Sequence, residues 1–125
     1  MNWDGTFSLT EKADGSAGFI SINADEILYF CVDQSQSQIK AHTLEQEYYA
    51  GWDTLDRLMQ ALQTTAPQFY RTDRIFLVNL TKVRKIDTEW CKAYFIDAPD
   101  YKSKYCYIAR LKLGEVKRRI SQLSS

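Results

Sequence analysis

The sequence predicts a mainly β domain with one internal helix and a helical tail. Three observations carry this reading. Short apolar or alternating runs at residues 19–22, 27–32 and 76–80 are separated by small polar stretches, as strands and turns are. One internal segment switches to helical spacing at Trp52, Leu55, Leu58, Met59 and Leu62. The same spacing returns near the end at Leu113, Val116, Ile120 and Leu123. A chain of 125 residues with 45% apolar content suits one hydrophobic core.

Taken in order, residues 1–18 hold Gly5, Gly15 and Gly18 among polar side chains. They are expected to form a loose lead-in with room for one edge strand, ahead of a domain spanning 19–123. Residues 19–22 form a first strand, broken by Asn23-Ala24-Asp25, and 27–32 a continuous apolar one. The polar run 33–38 reads as a hairpin tip, and residues 39–43 and 46–50 as a second hairpin around Leu44-Glu45. A helix is predicted over 52–65, with Asp53 and Thr54 suited to its first turn and Pro67 closing it. Strands follow at 76–80, 83–86, 90–96 and 104–110, and the helical tail exposes Lys117, Arg118 and Arg119, although Gly114 weakens it.

No apolar run approaches the roughly 20 residues that cross a bilayer. The start, with Trp3, Asp4 and Gly5, lacks the charged and then greasy pattern of a secretory leader, so a cytoplasmic chain is expected. Cys31, Cys91 and Cys106 show no Cys-x-x-Cys spacing, and only His42 is available to join them, so reduced, buried thiols are expected rather than a metal site. There is no phosphate-binding glycine loop, no nucleophile elbow and no carboxylate pairing suited to acid–base work. No enzyme, cofactor or metal is expected, and His42 reads as a structural or surface histidine.

Charge is zero in total but uneven in distribution. Residues 1–66 carry three Lys and Arg against ten carboxylates, a net −7; residues 67–125 carry thirteen against six, a net +7. Basic charge gathered on one side is the footprint of a protein that meets phosphates. Interleaving of the two halves in space is the alternative. The most informative stretch is 69–83, where an aromatic pair leads into Arg71-Thr72-Asp73-Arg74 and then an apolar run ending at Asn79. Two guanidinium groups at the mouth of a buried strand suit an anion or a nucleic acid, or else serve as surface ion-pair partners.

The order of these parts resembles the LytTR DNA-binding domain. The resemblance runs from about residue 19 to 120 and rests on Phe69-Tyr70-Arg71, then Arg74, then Phe76-x-Val78-Asn79, with Ile27-Leu28-Tyr29-Phe30 and Lys82-Val83-x-x-Ile86 as companions. It implies an elongated arrangement of small antiparallel β-sheets with one short helix. It further implies a bacterial transcriptional regulator, of response-regulator type or stand-alone, that inserts loops into successive major grooves of double-stranded DNA. Direct-repeat promoter sites and a homodimer on DNA are implied as well. Residues 1–18 leave no room for a receiver domain, so a free-standing regulator and a piece of a larger one are both open.

By the same resemblance three places carry the contacts: the hairpin 34–38 with Ser37 and Gln38, the pair Asp73 and Arg74, and Arg110 with Lys112 close by. Arg74 and Arg110 can each donate two hydrogen bonds to guanine O6 and N7. Gln36, Ser37 and Gln38 are short neutral readers. Arg71, Lys82, Arg84, Lys102, Lys104 and Lys112 are candidate phosphate contacts, with a bracing role in the sheet as the alternative for Arg71. Departures from the family pattern are Asp73 where histidine is frequent, Ile75 where a small hydroxyl residue is common, and Ala109 in place of a serine. The competing expectation is a LytTR-like protein-interaction module that has lost DNA binding and uses exposed aromatics such as Trp3, Tyr101 and Tyr105.

Overall fold

A computed structural model describes residues 4–35 and 37–123. Five strands come first: β1 (Thr6–Thr10), β2 (Phe19–Asn23), β3 (Tyr29–Asp33), β4 (Gln38–His42) and β5 (Glu47–Tyr49). Helix α1 (Leu55–Leu62) leads into β6 (Phe69–Asp73) and β7 (Phe76–Asn79). Three short strands, β8 (Lys85–Asp87), β9 (Lys92–Tyr94) and β10 (Tyr105–Tyr107), precede helix α2 (Leu113–Leu123). Every pairing is antiparallel, in a seven-stranded sheet ordered β2-β1-β5-β4-β3-β7-β6 and a three-stranded sheet ordered β10-β9-β8.

The continuous apolar run at 27–32 is explained by burial on both sides of the larger sheet. Phe30 and, on the neighbouring strand, Leu77 face one core with Leu9, Ile39, Leu58 and Phe69. Tyr29 and Val78 face the other, with Ala93 and Cys106 from the smaller sheet, Phe95 just after β9, and Val116 from α2. A strand covered on both faces loses the polar half of its alternation. The apolar run ends at Asn79 for a structural reason. Its fully buried amide donates to Ile27 O at 3.0 Å, and its Oδ1 accepts from the Thr81 N–H at 3.1 Å. Leaving those groups unpaired in the core would cost about 1–3 kcal/mol.

Several boundaries differ from expectation. The helix predicted over 52–65 is shorter, because Thr54 adopts an extended backbone and its Oγ1 accepts from the Arg57 N–H at 3.1 Å, capping the helix at Leu55. Leu55, Leu58 and Leu62 form its buried stripe. In the lead-in, β1 is not an edge strand. It lies between β2 and β5, and Leu9 is in the core. Residues 69–73 form β6, which the polar Arg71-Thr72-Asp73 sequence concealed. It is an edge strand with a register irregularity between Arg71 and Asp73, where polar residues are at home. The later strands are each trimmed to three residues, with Cys91 at φ 53 in the tight β8–β9 turn.

Candidate nucleic-acid interface

Three chain reversals meet at one end of the larger sheet. The β3–β7 register pairs Cys31 with Phe76, and the Val32 N–H donates to Ile75 O at 3.1 Å. That places the β3–β4 turn beside the β6–β7 turn. The β10–α2 connection is fastened to the same place through Thr72. Its hydroxyl donates to Tyr107 O at 2.9 Å, and its carbonyl accepts the Ala109 N–H at 2.7 Å. Thr72 is fully buried, and its partners lie some 35 positions away, so no local pattern announced this role.

The seven candidate residues divide by what their side chains already hold. Arg71 is a brace: its Nε donates to Asp73 O at 3.2 Å, one terminal nitrogen to Arg74 O at 2.5 Å, and the other pairs with Asp56 on α1. Lys112 donates to Arg71 O at 2.9 Å. Gln38 donates its amide to Ala13 O at 3.0 Å, tying β4 to the β1–β2 turn. Ser37 is exposed at φ 52 in the turn, while Gln36 lies outside the described residues. Asp73 is half-buried at the end of β6. Arg74 and Arg110 are exposed, and neither side chain has a partner among the described residues. The structure thus gathers all seven at the two turns and the β10–α2 connection, with the Gln38 amide already bonded to the β1–β2 turn.

Between α1, β6 and the start of α2 runs a groove of about 660 Å³, whose lining includes Asp56, Tyr70, Arg71, Arg74, Lys112 and Arg119. The Arg119 guanidinium lies 4.5 Å from the Tyr70 ring centre, and its Nε donates to Glu115 at 2.8 Å. Arg118 and Arg119 together hold the Glu115 carboxyl well below its usual range, at about 2.

The other candidate phosphate contacts lie elsewhere. Lys104 reaches the β4–β5 turn, at the opposite end of β4, and donates to Thr43 O at 2.7 Å and Gln46 O at 3.2 Å. Its ammonium is also 3.3 Å from His42 Nδ1. Arg84 pairs with Asp97 at 3.1 Å, and with Lys82 it borders a second groove beside that turn. His42 is buried, stacked on Tyr29 with ring centres 4.5 Å apart, and its Nε2 is 3.4 Å from Cys31 Sγ. Burial first, and the Lys104 cation second, push its pKa down to about 4. All three cysteines are free; Cys91 and Cys106 are buried and Cys31 is half-buried. Among the described residues no His, Cys, Asp and Glu cluster is arranged to hold a metal, and no helix is long and apolar enough to cross a membrane.

Comparison with known proteins bears on the family and the fold. The sequence pattern of the LytTr DNA-binding domain matches residues 17–121. Among solved structures, a LytTr DNA-binding domain from Bacillus cereus superposes with a TM-score of 0.65 at 12% identity, over 95% of this chain and 98% of that one. No curated protein matches the chain.

Proposed function

This chain belongs to the LytTr DNA-binding domain family, and from that premise we propose that it reads a specific double-stranded DNA sequence for a bacterial transcriptional regulator in the cytoplasm. Its turns enter the major groove from one end of the larger sheet. The observation that carries the reading is the division of labour there. Arg71 and Lys112 are spent on backbone carbonyls, while Arg74 and Arg110, mounted on the elements so braced, present to solvent guanidinium groups with no partner among the described residues. A rigid mount with a free bidentate donor is what guanine O6 and N7 require. Ser37 supplies a short neutral reader from the adjoining turn. Two copies bound to direct repeats would multiply the modest affinity of one small domain.

The interaction-module alternative finds less support in the side chains named for it. Tyr105 is half-buried with the Lys92 ammonium 4.2 Å from its ring centre, and Trp3 lies outside the described residues. Tyr101 alone is fully displayed, at 90% exposure.

The test is selection from a random double-stranded library at two salt concentrations, with wild type beside an Arg74→Ala, Arg110→Ala variant. Wild type enriches a motif. The variant loses it, with affinity for the selected site reduced about a hundredfold or more, since each bidentate pair discriminates by about 1–3 kcal/mol. Its stability stays within about 0.5 kcal/mol, as exposed, unpartnered positions allow. Absence of any enriched motif at low salt overturns the reading.

A further inference from the structure

The turn that presents Arg110 also presents Leu111, whose side chain is 99% exposed, more than any other large apolar side chain among the described residues. Isolated surface leucines are ordinary; this one is distinguished by its mounting. Residues Arg110–Lys112 form a 3-10 turn closed by the Lys112 N–H to Ala109 O at 2.8 Å and the Leu113 N–H to Arg110 O. The turn is fastened to β6 by the Ala109 N–H to Thr72 O bond and by Lys112 Nζ on Arg71 O. It then runs directly into α2, which is anchored by fully buried Val116. The core-facing stripe of that helix starts at Leu113 and continues through Val116 and Ile120, so Leu111 is no part of it. A leucine is therefore held out into water between two basic residues, on a backbone with little freedom to turn it inward.

The floor of the major groove offers one apolar group to such a side chain, the C5-methyl of thymine. We propose that Leu111 is a specificity-determining residue that packs on a thymine methyl next to the base pair met by Arg110. The proposal rests on the DNA-reading function above and adds a base preference that hydrogen bonding by Arg110 does not supply.

The experiment starts from the site selected by the full chain and replaces its thymines one at a time with deoxyuridine, which lacks only the methyl. Wild type loses about fourfold in affinity at one or two positions, the worth of a single buried methyl group. Leu111→Ala binds thymine and uracil versions equally, whereas Leu111→Met, which keeps an apolar reach, retains the preference. Both variants melt with the wild type, because the side chain packs against nothing. Wild-type indifference to every uracil replacement, or a preference that survives Leu111→Ala, overturns the role of Leu111 while leaving DNA reading intact. Failure of wild type to select any site overturns the DNA reading itself, so the two failures are separable.

Discussion

At the end of the larger sheet where the β3–β4 and β6–β7 turns meet, Arg74 and Arg110 stand in solvent without partners among the described residues. At the opposite end, Lys104 reaches two carbonyls of the β4–β5 turn and the ring of His42. Both ends carry cations, but they differ in what surrounds them. A tight turn leaves carbonyl oxygens that need donors, and a half-buried ammonium needs acceptors to replace water. Where both needs coincide, the charge is absorbed into the fold. At the end proposed to read DNA the carbonyls of Arg71, Asp73 and Arg74 are already satisfied by Lys112 and Arg71, and the two outer arginines have no partner among the described residues. What a cation is already bonded to, more than its charge, separates a structural residue from one open to a ligand.

The comparison breaks most visibly if the Lys104 end fails to behave as structure. The Lys104 ammonium can only donate, so His42 Nδ1 accepts and the neutral ring carries its proton on Nε2, toward Cys31. Burial, then Lys104, with Glu47 opposing them, keep the folded pKa near 4, against about 6.5 in an unfolded chain. The unfolded state therefore takes up the proton first. Stability is full above pH 6.5 and falls as pH drops toward 4, by about 3 kcal/mol at most. Urea midpoints at pH 7.5, 6 and 5 measure this loss, and His42→Gln flattens it in the upper part of the range, before carboxylates titrate. An equal slope in the variant removes His42 as the cause.

A smaller effect sharpens the contrast from the other partner. Lys104→Met takes a donor from Thr43 O and Gln46 O and costs about 2 kcal/mol in unfolding free energy. It also removes one of the three influences that depress the His42 pKa, after burial and ahead of Lys40, so the pH dependence shrinks. The DNA motif selected by this variant matches that of wild type. A changed motif would mean that the two ends do not divide structure from recognition as argued.

How much of this was legible in the sequence follows from the range of each interaction. The hairpin around Leu44-Glu45, the stripe of α1 and the doubly buried strand at β3 are written in local periodicity, and they emerged. Strand β6 did not, because an edge strand tolerates the polar Arg71-Thr72-Asp73 run that periodicity reads as a turn. The exposure of Arg74 and Arg110 agrees with their type and order in the sequence, while their proposed role in reading DNA awaits the selection experiment. The intramolecular bonds of Gln38 and Lys104 were not legible, because their acceptors, Ala13 and Thr43, lie 25 and 61 positions away. Thr72 was passed over for the same reason. Only the folded sheet brings such partners together.

The smallest predicted effect concerns Arg71, a cation of the reading end that the structure assigns to bracing. Its ion pair with Asp56 is solvent-facing on the acid's side and contributes little. The bonds to Asp73 O and Arg74 O are what hold the turn, so Arg71→Ala costs about 1 kcal/mol of stability. Affinity for the selected DNA falls only a few-fold, because Arg74 remains present on a looser mount. The salt dependence distinguishes bracing from phosphate contact. A side chain that neutralises a phosphate contributes about 0.9 to the slope of log affinity against log salt. If Arg71 braces, the slope measured from 50 to 200 mM salt is the same in Arg71→Ala as in wild type, although the affinities differ. A slope reduced by nearly one unit would place Arg71 on the DNA backbone and move it from the structural to the reading group.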